Sequence, residues 1–557
     1  MQGSWRSSVR RATLQAEKQS LKAAAEPAGA FRRGAFIALP ILIAAIAWSS
    51  YVHWTAPVIP YDDAYITYRY VDNLTSGEGL VYNTGQRVFG SSTPLYLLIL
   101  VVLKMVFSSV PIPELAVRFN LISYACSGIA VYLLLRRFTA RPWFAALAAA
   151  AIMLEPELLA TSLGGMESFL FLGLLLMAVL AGVSKRPLAL GVLTGLTCLT
   201  RPEGMLLIPI IIAIQFRSKK DLLLSAAALL VTVLPWVLFA WMYYGSPIPL
   251  SLVAKSKPLY PLLPGTALSH YIYRSEEWFF AGFLGGLHQL RSLLMLNTLL
   301  IATVASLVYE PYRKRNAWIP GMLFWGYMLL YGVGNPLIFD WYWPLVLLSG
   351  GLVLLTGLPA SGYLLERLLK RNERPALARW AVPASFILGL GIIAFVCLGG
   401  YGRSKSPTSI ITDDPVRIRI FAYRKAAEKL NAIASPDETI ATPEIGTLGF
   451  YSKSRILDSC GLVSPEALEF IPVPKEQRVN RTAGAISTDF VMHTKPDYVV
   501  TMPFFALRSL LPSKWFASNY DLIDEIPLQK TCWGSKEVLI FKKKASKKSG
   551  QTIKTEE

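Results

Sequence analysis

The sequence predicts a polytopic α-helical membrane protein, with about 11 transmembrane helices, that carries an α/β domain at its C-terminal end. Three observations carry that prediction. Of 557 residues, 53% are hydrophobic and only 16% charged, whereas soluble chains carry about 25% charged residues. Apolar runs of about 18 residues or more recur through the first 400 positions, the length that crosses a bilayer as helix. Basic residues gather in short clusters between those runs, and the positive-inside rule makes each cluster a cytoplasmic turn.

Residues 1–34 hold seven basic residues (Arg6, Arg10, Arg11, Lys18, Lys22, Arg32, Arg33) against two acidic ones, ahead of the run "GAFIALPILIAAIAWSSYV". No A-x-A-like cleavage site follows, so the run predicts an uncleaved first helix near 35–52 with a cytoplasmic N-terminus. The basic turns are 133–143, 183–189, 216–221, 309–318 and 366–380. Ten further spans fit between them, near 115–135, 143–160, 168–183, 188–200, 204–216, 221–243, 292–309, 318–333, 344–359 and 380–400. The run 93–107 is short and carries Lys104, which suits an interfacial or re-entrant helix. This threading places the first loop (53–114), "TSLGGMES" (161–168), "TRPEG" (200–204), the loop 244–291 and "GNPLIFDWYWP" (334–344) on the outer face of the plasma membrane.

Residues 401–543 then form an extracytoplasmic domain, followed by a basic tail, 544–557, of disordered composition. An amphipathic helix is predicted over 414–433, and strands at 438–442, 454–458, 496–502, 520–526 and 536–543. Cys460 and Cys532 fall in this domain and could pair outside the cytosol. The net charge of +19 reads as topology, not as a nucleic-acid surface, because it lies between apolar runs. Four histidines with no CxxC or HExxH spacing argue against zinc.

Asp62 and Asp63 stand at the outer end of the first span, where an unused charge is costly. Either also fits a helix N-cap after Pro60. Arg69 follows Asp62 by seven residues, on the same helical face, and a glycine-rich loop too long for a mere connection comes next. The stretch "DDAYITYRYVDNLTSGEGLVYNTGQRVFGSSTPLYLLIL" resembles the first extracytoplasmic loop of GT-C membrane glycosyltransferases. The likeness is greatest to bacterial members related to the mycobacterial terminal arabinofuranosyltransferase. Protein mannosyltransferases and the lipid A aminoarabinose transferase carry Asp-Glu where this chain has Asp62-Asp63. The resemblance continues in "ELAVRFNLISY" (114–124), "LGGMESFLF" (163–171), "LTRPEG" (199–204), "GSPIPLSLVAKSK" (245–257), "FDWYWPL" (339–345) and "EIGTLGFYSKSRILDSCGLVSP" (444–465).

The resemblance implies transfer of a sugar from a polyprenyl-phosphate donor to an acceptor hydroxyl of a glycan, protein or lipid, with inversion. Asp62 matches the family's leading acidic position and is expected to be the general base. Asp63 would assist, orient the acceptor or, with Asp62 and Glu167, hold Mg or Mn; no cofactor is certain. The leaving phosphate needs fixed cations. Lys255 and Lys257 are the first expectation, with Arg69, Arg201 and Arg274 as alternatives. Glu167, His270, Asp340 and Tyr342 complete the expected substrate contacts; Glu167 also suits a helix N-terminus, and the aromatics an interfacial belt. Two rivals fit less well. A lipid-linked-sugar transporter or flippase commonly shows internal repeats, and none is seen. A cell-wall-binding scaffold needs far fewer spans than eleven.

Overall fold

The computed structural model describes residues 28–257, 259, 262–280, 286–404, 406–479 and 486–545. Within that range the apolar runs are helical, because lipid and a dry interior leave backbone N–H and C=O groups only each other to bond. The chain runs α1 (Ala28–Thr55), α2 (Ala64–Thr75), α3 (Pro94–Val106), α4 (Ile112–Thr139), α5 (Pro142–Leu154), α6 (Pro156–Ser162), α7 (Ser168–Val183) and α8 (Pro187–Thr200). A 3₁₀ turn, Pro202–Leu206, then leads into α9 (Leu207–Gln215). Next come α10 (Lys219–Tyr244), α11 (Leu250–Ser256), α12 (Thr266–Phe280), α13 (His288–Val308), α14 (Glu310–Lys314) and α15 (Ile319–Gly334). The turn Asp340–Tyr342 opens α16 (Trp343–Arg371), and α17 (Pro375–Ser404) follows.

Each of the eleven predicted spans is occupied by helix, and 93–107 forms the short α3. Length divides them. Among the described residues, five helices are long and apolar enough to cross a membrane alone, or six if α5 and α6, bent by 62°, make one span. Helices α7, α8 and α15 have 16, 14 and 16 residues, short of the roughly 20 that a full crossing takes. Proline opens many of these helices, where its missing N–H costs nothing. Small residues set the closest contacts: a Cβ on Gly357 of α16 would lie 2.2 Å from the carbonyl oxygen of Ala302 in α13.

Beyond α17 the chain forms α18 (Pro407–Asp413), α19 (Pro415–Ile418), α20 (Ile420–Ile433), β1 (Thr439–Thr442), α21 (Gly446–Tyr451) and β2 (Arg455–Asp458). It closes with α22 (Thr488–Thr494), β3 (Tyr498–Thr501), α23 (Pro503–Ala506), α24 (Lys514–Asn519), β4 (Tyr520–Cys532) and β5 (Ser535–Lys543). All five predicted strands are present, in the order β2-β1-β3-β5-β4. The first three are parallel, and β5 runs antiparallel to both neighbours. The predicted helix 414–433 is divided into α19 and α20 at Arg419. Cys460 and Cys532, which the sequence allowed to pair, are free thiols: one follows β2 and the other ends β4. Residues 1–27 and 546–557, most of the predicted cytoplasmic segment and tail, lie outside the described residues.

Buried arginines fasten this domain to the helical part. Arg417 donates to the carbonyls of Ala160 (3.0 Å) and Ile59 (3.1 Å) and lies 4.3 Å over the Tyr61 ring. Arg69 of α2 donates to the carbonyls of Tyr82 (2.7 Å), Gly449, Ser452 (3.4 Å) and Ser454 (3.3 Å). Its hydrogen bonds therefore go to backbone oxygens, which removes it from the phosphate-binding candidates. Asn83 pairs with Ile456 in both directions, at 2.8 and 3.1 Å.

Replacing Arg69 by Ala strands several buried carbonyls, a loss of about 2–4 kcal/mol. The expected outcome is a lower unfolding midpoint in detergent. Arg69→Lys should recover only part of it, since a single ammonium cannot span the same set of oxygens.

Candidate active site

The first loop folds so that its two aspartates meet different surroundings. Asp62 is 5% exposed, and its carboxylate accepts the N–H groups of Thr447 (2.8 Å) and Gly446 (3.2 Å), the first residues of α21. Two backbone donors at the start of α21 thus fix the position of its side chain. Asp63, at the head of α2, has no such clasp and faces open space. Burial, then the charge of Asp62, raise its carboxyl to about 6.

Two cavities meet at Asp63 and Lys255. The sheet-side cavity, about 410 Å³, is closed by Asp62, Asp340, Arg419, Glu444, Trp341 and residues of the C-terminal domain. The helix-side cavity, about 520 Å³, is walled by apolar residues such as Met205, Leu206, Leu252 and Leu330, with Glu167, Arg201 and Tyr342. Its Met205 and Leu330 are 61% and 40% exposed, so this cavity continues onto the apolar outer surface of the helices.

The cations are not equivalent. Arg201 is held by Glu167 (3.3 Å) and Glu203 (3.0 Å) and lies 4.4 Å over Tyr342. Arg419 makes a two-pronged pair with Glu444, both contacts 2.8 Å. Lys255, reached from both cavities, has no ion pair of 4 Å or less to a carboxylate among the described residues. Lys257, two residues on, turns away and donates to the Leu468 carbonyl at 2.7 Å. Arg274 pairs with Glu157 (3.3 Å) and Glu277 (3.6 Å). His270 packs against the Trp343 ring at 5.3 Å. None of Lys257, Arg274 and His270 lines either cavity.

Asp62, Asp63, Lys255, Arg201, Glu167, Asp340 and Tyr342 are thus brought together. Among the described residues, no three His, Cys, Asp or Glu side chains gather closely enough to hold a metal ion. Glu167 turns to Arg201, so the trio Asp62, Asp63 and Glu167 does not fit Mg or Mn in this arrangement. The sequence reading missed Arg419, Glu444 and the N-terminus of α21. Glu444 and Gly446 lie within the family-like stretch 444–465, but only the folded chain shows that this stretch meets Asp62 from more than 350 positions away.

Comparison with known proteins agrees with the architecture. Residues 415–541 match a family described as "Domain of unknown function (DUF8728)". No curated protein matches the chain. The crystal structure of ArnT from Cupriavidus metallidurans in the apo state superposes with a TM-score of 0.52 and 14% identity, covering 90% of this chain and 97% of that one. The same enzyme bound to undecaprenyl phosphate gives 0.51 and 12%, covering 93% and 98%. Mycobacterial arabinofuranosyltransferase AftD gives 0.48 and 15%, covering 91% of this chain but 40% of that one. The chain has the fold of the GT-C membrane glycosyltransferases.

A Cβ at position 446 would fall 1.9 Å from the Asp62 carbonyl oxygen and 2.5 Å from its Oδ2. Gly446→Ala is therefore expected to push α21 off the aspartate pair. Any activity should fall by more than tenfold, while Gly77→Ala, whose Cβ meets open space, should leave activity unchanged and cost only about 1 kcal/mol of turn strain.

Proposed function

We propose that this chain is an inverting glycosyltransferase that moves a sugar from a polyprenyl-phosphate donor to an acceptor hydroxyl at the outer face of the plasma membrane. One observation carries the reading: among the described residues, Asp63 has no backbone donors clasping its carboxylate and Lys255 no ion pair to a carboxylate, and both sit where an apolar cavity meets a polar one. The apolar cavity suits a lipid chain with its phosphate at Lys255. A fold neighbour, ArnT, has been captured with undecaprenyl phosphate, which supports this kind of ligand.

In the proposed reaction the acceptor oxygen attacks the anomeric carbon and Asp63 takes its proton. The bond from that carbon to the phosphate oxygen breaks, and the phosphate leaves with an added negative charge beside Lys255. Asp62 is better suited to hold the geometry, because two backbone N–H groups already occupy its oxygens. Arg201, offset by Glu167 and Glu203, fixes Tyr342 and the cavity wall.

Sugar release from a panel of polyprenyl-phosphate sugars, with and without EDTA, tests this on purified protein in nanodiscs. Asp63→Asn should lower transfer by about a hundredfold or more, the range for loss of a general base. Lys255→Ala should weaken undecaprenyl phosphate binding. Failure of the wild type to cleave a donor it binds, with a broad acceptor mixture present, would overturn the transferase reading.

The pH dependence has a definite sign. A base titrating at about 6 gives transfer that rises through that pH and levels off above it. Stability moves the other way, because a carboxyl raised in the folded state binds a proton that the unfolded chain releases. Lowering pH from 7 to 5 should therefore remove activity without loss of folding from this group, as transfer assays and thermal melts over that range can check.

A further inference from the structure

Three parallel strands end over the aspartate pair. Pro443, Glu444 and Ile445 follow β1, Cys460 and Leu462 follow β2, and Phe504 and Phe505 follow β3; all line the sheet-side cavity. The carboxyl ends of parallel strands are where open α/β sheets bind ligands, most of all where strand order reverses. Here β1 is flanked by β2 and β3, so the reversal lies beside β1.

A second, independent observation comes from the far end of the domain. Strands β4 and β5 are joined by Trp533 and Gly534 alone, with φ of 49° and 81°. Two successive left-handed residues in a two-residue hairpin favour Asn-Gly or Asp-Gly. A bulky side chain there is an outlier that stores about 1 kcal/mol or more of strain. Trp533 is not spent on a core, since it is 44% exposed. Its ring stands 5.4 Å from Phe504, 5.7 Å from Phe505 and 5.1 Å from the Arg419 guanidinium, in the cavity wall. Facing residues include Phe339 and Trp341, stacked at 4.8 Å with rings parallel to within 2°.

We infer that the C-terminal domain is the acceptor-binding module, and that its acceptor is a neutral saccharide seated on Trp533. The inference rests on the proposed transferase reading, which assigns the helix-side cavity to the donor. Flat aromatic faces cover the C–H faces of sugar rings, while the Arg419–Glu444 pair offers donors and acceptors to hydroxyls. Acidic groups outnumber the cations in this cavity (Asp62, Asp63, Asp340 and Glu444 against Lys255 and Arg419), which disfavours an anionic acceptor. Strain kept at an exposed position is accounted for when the residue binds something.

The test uses the full-length protein in detergent. Undecaprenyl phosphate binding is titrated directly, and a set of neutral malto-, manno- and arabino-oligosaccharides is screened by saturation-transfer NMR. Wild type is expected to bind both classes. Trp533→Ala should weaken the bound saccharide about tenfold, equal to about 1.4 kcal/mol, with lipid affinity unchanged within about twofold, and Trp533→Phe should retain most saccharide binding. Trp533→Asn should lose saccharide binding yet melt no lower than wild type, because Asn accepts the left-handed turn; a purely structural tryptophan would instead melt lower. No saccharide binding by wild type, undiminished binding by Trp533→Ala, or joint loss of lipid and saccharide would each overturn the inference. Wild type that binds saccharide through Trp533 but not undecaprenyl phosphate would overturn the donor reading instead.

Discussion

The clasp between Asp62 and the first two N–H groups of α21 is the contact on which the rest depends. It joins the loop after the first helix to a domain nearly four hundred residues later. A carboxylate removed from water needs donors to replace those it loses, and α21 supplies two at its positive end. With Asp62 held in this way, Asp63 follows on the next residue and starts α2, facing the junction of both cavities. Arg69 and Arg417 hold the same interface from either side through backbone carbonyls.

The division between the two carboxylates is a general way of giving neighbouring acids different tasks. One is anchored by donors and serves as structure, whereas the other loses solvent without gaining donors and moves toward neutral pH. The cations are sorted by the same logic. Arg201 and Arg419 each come with their own carboxylates, which keeps buried charge balanced. Lys255 lines both cavities without an ion pair to a carboxylate among the described residues.

The helical part and the sheet contribute unlike surfaces to one site. The helices offer leucine and methionine to the helix-side cavity. The sheet offers strand ends, a salt bridge and aromatic rings. The fold makes this boundary by docking the C-terminal domain over the first loop.

The sequence by itself determined the helices, the strands of the C-terminal domain and the place of the aspartate pair just after the first helix. Those features are local: apolar runs, alternation, basic clusters and two adjacent charges at the end of a span. It also pointed to Lys255, Arg201, Glu167, Asp340 and Tyr342, which do assemble. What it could not separate were residues of equal chemistry whose fates depend on partners far along the chain. Arg69 resembles a phosphate ligand until Gly449, Ser452 and Ser454 take its N–H groups. Lys257 lies two residues from Lys255, yet its side chain bonds Leu468. Asp62 differs from Asp63 only because Gly446 and Thr447 reach it. Side-chain direction and long-range hydrogen bonds arise from packing, so the tertiary structure alone decided which charges remain available.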